Sequence, residues 1–226
     1  NMEEANEMVA MVERSNIVFM NAFCHRFYGP VNQALKLFRD GSLGKLIHWQ
    51  NRFAGRAQGM EKRWISQAEI AGGGILCDTA VHSIDLFRYM VGEVTFVSAQ
   101  VSTTLPIEVE DSAAILLRSV AGADGFAGVT GEISCSWVTP PPEWVIRLYG
   151  TEGRAEIDYS TEPNLRYRLA EGDWIKVPYE GPDRFAAETR HFIECVRDGV
   201  TPRVTVYDGA RAIALIDAAY RSAREG

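Results

Sequence analysis

The sequence predicts an α+β protein: a large, mainly antiparallel sheet flanked by helices, preceded by the last helix–strand–helix of a parallel α/β domain. Three observations carry this reading. Between residues 94 and 178 the chain repeats strand-length runs separated by turn signals, at about 94–104, 112–120, 126–139, 143–149, 154–159, 165–169 and 173–178. Helix-period segments bracket those runs, at 71–91 before them and near 183–198 and 207–224 after them. Residues 1–40 follow a different pattern, in which a continuous apolar run sits between two amphipathic helices. The expected division is therefore a remnant of an α/β domain over 1–40 and the α+β domain over 41–226.

Each element has a local cause. From Asn1 to about Arg14, Ala5, Met8, Val9 and Val12 fall on one helical stripe. Ile17-Val18-Phe19-Met20 reads as a buried strand that ends in polar Asn21, Cys24, His25 and Arg26. Pro30 suits the first turn of the next helix, whose apolar face is Val31, Ala34, Leu35 and Phe38, and Asp40-Gly41-Ser42 stops it. Beyond Gly44, Ile47, Trp49 and Phe53 alternate with His48, Gln50 and Arg52, a strand with one buried face. Residues 55–70 show no clear period and read as a loop, a lid over a site. The clearest strand places Val129, Ile133, Cys135 and Trp137 opposite Thr130, Glu132, Ser134 and Ser136. Ala123-Asp124-Gly125 and Thr151-Glu152-Gly153 read as hairpin turns.

Composition excludes several function classes. Hydrophobic residues make up 46% and charged residues 23% of 226, the balance of an ordinary globular chain. A net charge of -7 argues against nucleic acid as partner, because phosphate binding wants a basic stripe. No window reaches the roughly 18 apolar residues of a membrane helix, and the polar, acidic start is unlike a signal peptide. Cys24, Cys77, Cys135 and Cys195 are scattered without a CxxC pair, which suggests neither a zinc site nor a disulfide scaffold and makes a reducing cytoplasm the default. The chain opens on Asn1 and runs at once into a helix pattern, so it reads as the remainder of a longer protein, with a start at Met2 as the alternative.

The chemistry concentrates in Gly72-Gly73-Gly74-Ile75-Leu76-Cys77-Asp78-Thr79-Ala80-Val81-His82-Ser83-Ile84-Asp85. A carboxylate and an imidazole four residues apart share one helical face, where Asp78 can orient His82 or both can hold one polar substrate. The competing reading makes Asp78 a helix-start charge and His82 a satisfied core histidine. Asp85 is expected to make a structural bond. A metal held by Asp78, His82 and His25 lacks a second His or Cys at ligand spacing, so no metal is expected. The glycine run lets a backbone or a ligand approach closely, but it lacks the strand and the G-x-G-x-x-G spacing of a dinucleotide fingerprint. His25 and Arg26 end the expected strand, a place where α/β sheets bind ligands; a salt bridge is the alternative. Lys62, Arg63 and Trp64 stand just ahead of the glycines, either as a solvated loop or as a site border.

Taken together these segments resemble the glucose–fructose oxidoreductase, inositol dehydrogenase and rhizopine-catabolism (Gfo/Idh/MocA) family. Gly72 to Asp85 is similar to its GGG-x-x-x-D-x-x-x-H-x-x-D segment, Phe23-Cys24-His25-Arg26-Phe27 to its strand-end segment, and Arg63-Trp64-Ile65 to its lid. Tyr149 to Ala155 resembles its G-T-x-G hairpin, and Phe192 through Ala223 its closing helices. Cys24 stands where the family usually has Asn. The resemblance implies a Rossmann remnant over 1–40 and a substrate-binding, oligomerising domain over 41–226. It implies the C-terminal part of an NAD- or NADP-dependent oxidoreductase acting on a sugar, polyol or related hydroxy compound. In that reading His82 is the acid/base and Asp78 grips hydroxyls and orients it, with His25 as a further substrate ligand. Arg26, Arg63 and Trp64 border the cofactor. The family's glycine fingerprint and its Glu-Lys-Pro segment do not occur in these 226 residues, so the chain alone is expected to be inactive. A homodimer or homotetramer through the sheet is expected, with Trp144, Ile146 and Leu148 offering apolar surface. The alternative is a non-catalytic sugar-binding or oligomerisation module.

Overall fold

The structure, a computed structural model, describes residues 1–120, 126 and 128–226. Helix α1 (Met2–Arg14) is closed at its start by a capping box between Asn1 and Glu4. Of its apolar stripe only Ala5 is buried, and the helix packs along the chain's last helix, where Tyr207 donates to Glu13. The expected strand at Ile17–Met20 does not form. Ile17 and Val18 are exposed, and among the described residues no ladder partner runs beside them; the nearest tie is Asn21 N–H to the Val204 carbonyl at 3.2 Å. An apolar run becomes a strand only when a neighbour satisfies its backbone, which composition cannot supply. A 3-10 turn over Cys24–Phe27 follows, then α2 (Gly29–Arg39), which starts with Pro30 in its first turn and buries Val31, Ala34, Leu35 and Phe38.

Strand β1 (Leu46–Ala54) comes next, and the segment 55–70 read as a loop holds two 3-10 turns and leads into the single-turn α3 (Ala68–Ala71). A π-helical turn, Leu76–Ala80, feeds α4 (Val81–Met90). The remaining strands are β2 (Val94–Ser102), β3 (Ser112–Ser119), β4 (Thr130–Ser136), β5 (Glu143–Gly150), β6 (Gly153–Asp158), β7 (Leu165–Leu169) and β8 (Ile175–Val177), closed by α5 (Arg184–Asp198) and α6 (Val206–Glu225). Among the described residues they form one eight-stranded sheet in the order β2-β3-β4-β1-β5-β6-β7-β8. Six of the seven pairings are antiparallel; β1 lies parallel to β4. The sheet is thus the mainly antiparallel one that the strand runs predict, and its parallel seam comes from inserting β1 between two hairpin series. Thr151-Glu152 joins β5 to β6 as a hairpin, whereas Ala123-Asp124-Gly125 lies outside the described residues.

One face of the sheet carries the core. Trp49 and Phe53 of β1, Ile133 and Cys135 of β4, and Ile146 and Leu148 of β5 are buried against α2, α4 and α6. Trp49 meets Phe87 of α4 edge-on, with ring centroids 5.5 Å apart. Gly131 permits this contact, since a Cβ there would lie 2.4 Å from the Phe87 ring. Two expectations about faces change. Ile47 is exposed because a register shift between Leu46 and His48 turns Leu46 inward in its place. Ile146 and Leu148 are core residues and not surface. The opposite face is polar and cross-linked, with Gln50 donating to Glu132 at 3.1 Å, Arg52 to Ser134 at 2.7 Å and Arg147 to Glu156 at 2.8 Å.

Candidate active site

The glycine run is shaped by the protein's own backbone. Gly72 takes a positive φ of 72° at the end of α3. A Cβ on Gly74 would lie 2.0 Å from the Glu110 carbonyl oxygen, and one on Gly73 would lie 2.2 Å from the Tyr220 hydroxyl. Glu110 enters this gap and accepts hydrogen bonds from Gly74 N and Leu76 N at 3.0 Å each, and from the Tyr220 hydroxyl at 2.7 Å. Its carbonyl accepts from Ile75 N at 2.9 Å. These bonds occupy amides at the start of the expected helix 71–91, whose regular α-helical part begins only at Val81.

The π turn alters the geometry expected of Asp78 and His82. Asp78 lies within the π turn and His82 in the first turn of α4. Asp78 is exposed and accepts a hydrogen bond from Thr79 Oγ1 at 3.0 Å; Thr79 Oγ1 in turn accepts from Trp137 Nε1 at 3.2 Å. No Asp78–His82 hydrogen bond forms among the described residues. The carboxylate still acts on the ring electrostatically: burial lowers the His82 pKa, Asp78 opposes that, and Arg184 adds to it.

His82 and His25 are brought together from different elements, with ring centroids 5.5 Å apart and planes at 69°. His25 Nδ1 lies 2.7 Å from the Tyr159 hydroxyl, and the ring packs at 5.2 Å on Phe53. Burial first, then the charges of His82 and Arg184, hold the His25 pKa well below the usual imidazole range. Tyr159 is pushed well above the usual phenol range by the same burial. Both groups are therefore neutral near pH 7. His82 Nδ1 is buried and makes no hydrogen bond. That is costly for an imidazole unless something else uses the atom.

The other expected site residues fall elsewhere. Arg26 is buried, its guanidinium bound to Asp85 through Nε–Oδ2 at 2.9 Å and Nη2–Oδ1 at 2.5 Å, and to Asp208 at 2.9 Å. It holds α4 and α6 to the 3-10 turn, so Asp85 makes the structural bond expected of it, and the Arg26 side chain is committed to protein partners. Arg63 and Trp64 stand exposed on the lid region, Trp64 at 61%. Cys24 is buried beside Arg184 and Glu188, its thiol pushed up by burial. Tyr159, Arg184, Glu110 and Tyr220 escaped the sequence reading. Tyr159 ends a strand and Arg184 begins a helix far along the chain, so no local spacing marks them. The adjacent acids Glu110-Asp111 before an apolar strand were the one available signal.

Fold and site together define an α+β domain that presents a histidine pair at the end of an interior strand of its sheet. Residues 31–156 match the model of the GFO/IDH/MocA C-terminal domain. The chain belongs to that family. It is 28% identical to D-apiose dehydrogenase of Paraburkholderia graminis over 99% of this chain and 62% of that protein. With scyllo-inositol 2-dehydrogenase (NAD(+)) of Bacillus subtilis it shares 25% identity over 100% of this chain and 66% of the relative. Among solved structures, aldose-aldose oxidoreductase from Caulobacter crescentus complexed with glycerol superposes with a TM-score of 0.87 at 29% identity, covering 100% of this chain and 67% of that one. The chain thus spans about three fifths to two thirds of the length of these curated relatives.

Proposed function

We propose that the chain is the substrate-binding part of an NAD- or NADP-dependent oxidoreductase acting on a CH–OH group of a sugar, polyol or related compound. The buried, unpartnered Nδ1 of His82 carries this reading, because it leaves an imidazole nitrogen uncommitted on a ring whose centroid lies 5.5 Å from that of a second neutral histidine. Membership of a family whose relatives are named dehydrogenases of apiose and inositol supports it. The relative named for NAD(+) supports the cofactor class.

When bound, a nicotinamide supplies the hydride acceptor. The residues of this chain suit its edge and not its phosphates: Trp64 and Arg63 are exposed and free to border it, whereas Arg26 is committed to Asp85 and Asp208. His82, kept neutral by burial, takes the hydroxyl proton, and the Asp78 carboxylate stabilises the imidazolium that results. His25, fixed by Tyr159 and Phe53, holds a neighbouring hydroxyl. Residues 1–40 as a Rossmann remnant and 41–226 as the substrate domain belong to the same proposal. So does a cytoplasmic location, in keeping with four free cysteines. Among the described residues no helix is long and apolar enough to cross a membrane. Self-association, if through the open sheet face, uses the polar Arg52–Glu143 and Arg147–Glu156 surface.

The test is nicotinamide reduction by the full-length protein across a panel of sugars and polyols. At least one is expected to turn over, and His82→Ala is expected to lower kcat by about 10²–10⁴-fold. A His82→Ala enzyme with near-normal turnover removes His82 from the acid/base role.

A further inference from the structure

Beside the histidines stands a cation that has no counter-ion among the described residues. Arg184 lines a cavity of about 360 Å³ with Tyr28, Pro142, Trp144, Tyr159 and Ser160. Its guanidinium lies 4.5 Å from the Phe185 ring centre, 5.3 Å from Tyr159 and 6.0 Å from Tyr28. Its Nε is buried and makes no hydrogen bond, and among the described residues no carboxylate comes within ion-pair distance.

Two of the nearby acids are otherwise occupied, and a third, Glu188, is unpartnered. Asp183 caps α5 by accepting from Phe185 N and Ala186 N. Asp158 accepts from Ser160 N at 2.9 Å and from its hydroxyl at 2.6 Å. Glu188, one turn along α5, keeps a buried, unpartnered Oε1, and burial raises its pKa with no cation opposing. A half-buried guanidinium with an unused donor is unfavourable unless a ligand completes it. The planar Arg fork is the side chain best matched to a carboxylate. Through Tyr159, which hydrogen-bonds His25, the cavity adjoins the proposed reaction centre.

The geometry points to Arg184 as the residue that holds an acidic group of the substrate, so that the substrate is a sugar acid, an aldonate or uronate, and not a neutral sugar; the sugar skeleton rests on the proposed dehydrogenase reading. The aromatic walls of the cavity, Tyr28, Trp144 and Tyr159, offer apolar surface beside the charged contact.

Calorimetric titration of the full-length protein with D-glucuronate against D-glucose, D-galacturonate against D-galactose, and D-gluconate tests the assignment. At least one acid is expected to bind about tenfold or more tightly than its neutral counterpart or, for gluconate, than glucose. Arg184→Gln should abolish that preference and Arg184→Lys retain part of it, and in the unmodified protein the preference should shrink with added salt. Equal affinities, no acid binding, a preference that survives in Arg184→Gln, or loss in that variant of NAD affinity alone each overturn the assignment. Acid preference without nicotinamide reduction refutes the dehydrogenase reading and leaves Arg184 standing. Reduction by neutral polyols with no acid preference does the reverse.

Discussion

Arg26 grips Asp85 with two nitrogens, Nε to Oδ2 at 2.9 Å and Nη2 to Oδ1 at 2.5 Å, and that pair ties the turn carrying His25 to the helix carrying His82. Arg26 follows His25 directly in the 3-10 turn, and Asp85 stands one turn beyond His82 on α4. Both side chains are at most 9% exposed, so removing Asp85 leaves two buried guanidinium donors unmatched and Asp208 as the remaining partner of Arg26. Asp85→Ala is expected to cost about 1–3 kcal/mol of unfolding free energy. Urea denaturation of the variant beside the unmodified protein measures this; a change under about 1 kcal/mol would show the pair to be energetically idle.

Gly74 is expected to tolerate no side chain. The Cβ of Gly74→Ala would sit 2.0 Å from the Glu110 carbonyl oxygen, a backbone atom that cannot rotate away. Forcing the strands and the π turn apart should destabilise the fold by about 1–3 kcal/mol or more. Gly72→Ala meets no neighbouring atom but must adopt a φ of 72°, so a smaller loss is expected. Thermal melts of the two variants should rank them in that order.

The buried histidines predict how stability follows pH. His25 and His82 both have folded-state pKa values below the ordinary 6.5, each through burial first. Between the depressed values and 6.5 the unfolded chain binds more protons than the folded one, so stability rises with pH across that window and is lost as pH falls through it. Urea midpoints are expected to drop between pH 7.5 and pH 5.5, and the drop should be smaller in His25→Gln. An unchanged pH slope in that variant would assign the dependence to other groups.

NAD titrated calorimetrically into these 226 residues alone is expected to bind weakly or not at all, since the sequence contains no G-x-G-x-x-G turn and Arg26 is committed to Asp85. Tight binding by this chain would relocate the cofactor contacts to the lid around Arg63 and Trp64.

Much of the fold was legible because its signals are local. The alternation of Ile133, Cys135 and Trp137 with Glu132, Ser134 and Ser136 predicted which side of β4 is buried or carries the polar partners, with Ser136 at the strand end also buried. Pro30 and Asp40 marked the ends of α2. Ile17–Met20 misled because pairing is not a local property: the run is apolar enough for a strand but has no neighbour to bond. Ile47 misled because a bulge slips the register by one residue and reverses the face.

By itself the sequence determined the α+β class and the family and singled out Asp78 and His82 as candidates, since periodicity and short-range spacing are written in adjacent residues. Only the tertiary structure decided what surrounds them. It showed that Glu110 fills the glycine gap, that among the described residues Asp78 and His82 share no hydrogen bond, and that Arg26 serves Asp85. It also brought Tyr159 and Arg184 beside the histidines. Those contacts join residues tens to more than a hundred positions apart, and their energies arise from burial, which exists only once the sheet has closed over its helices.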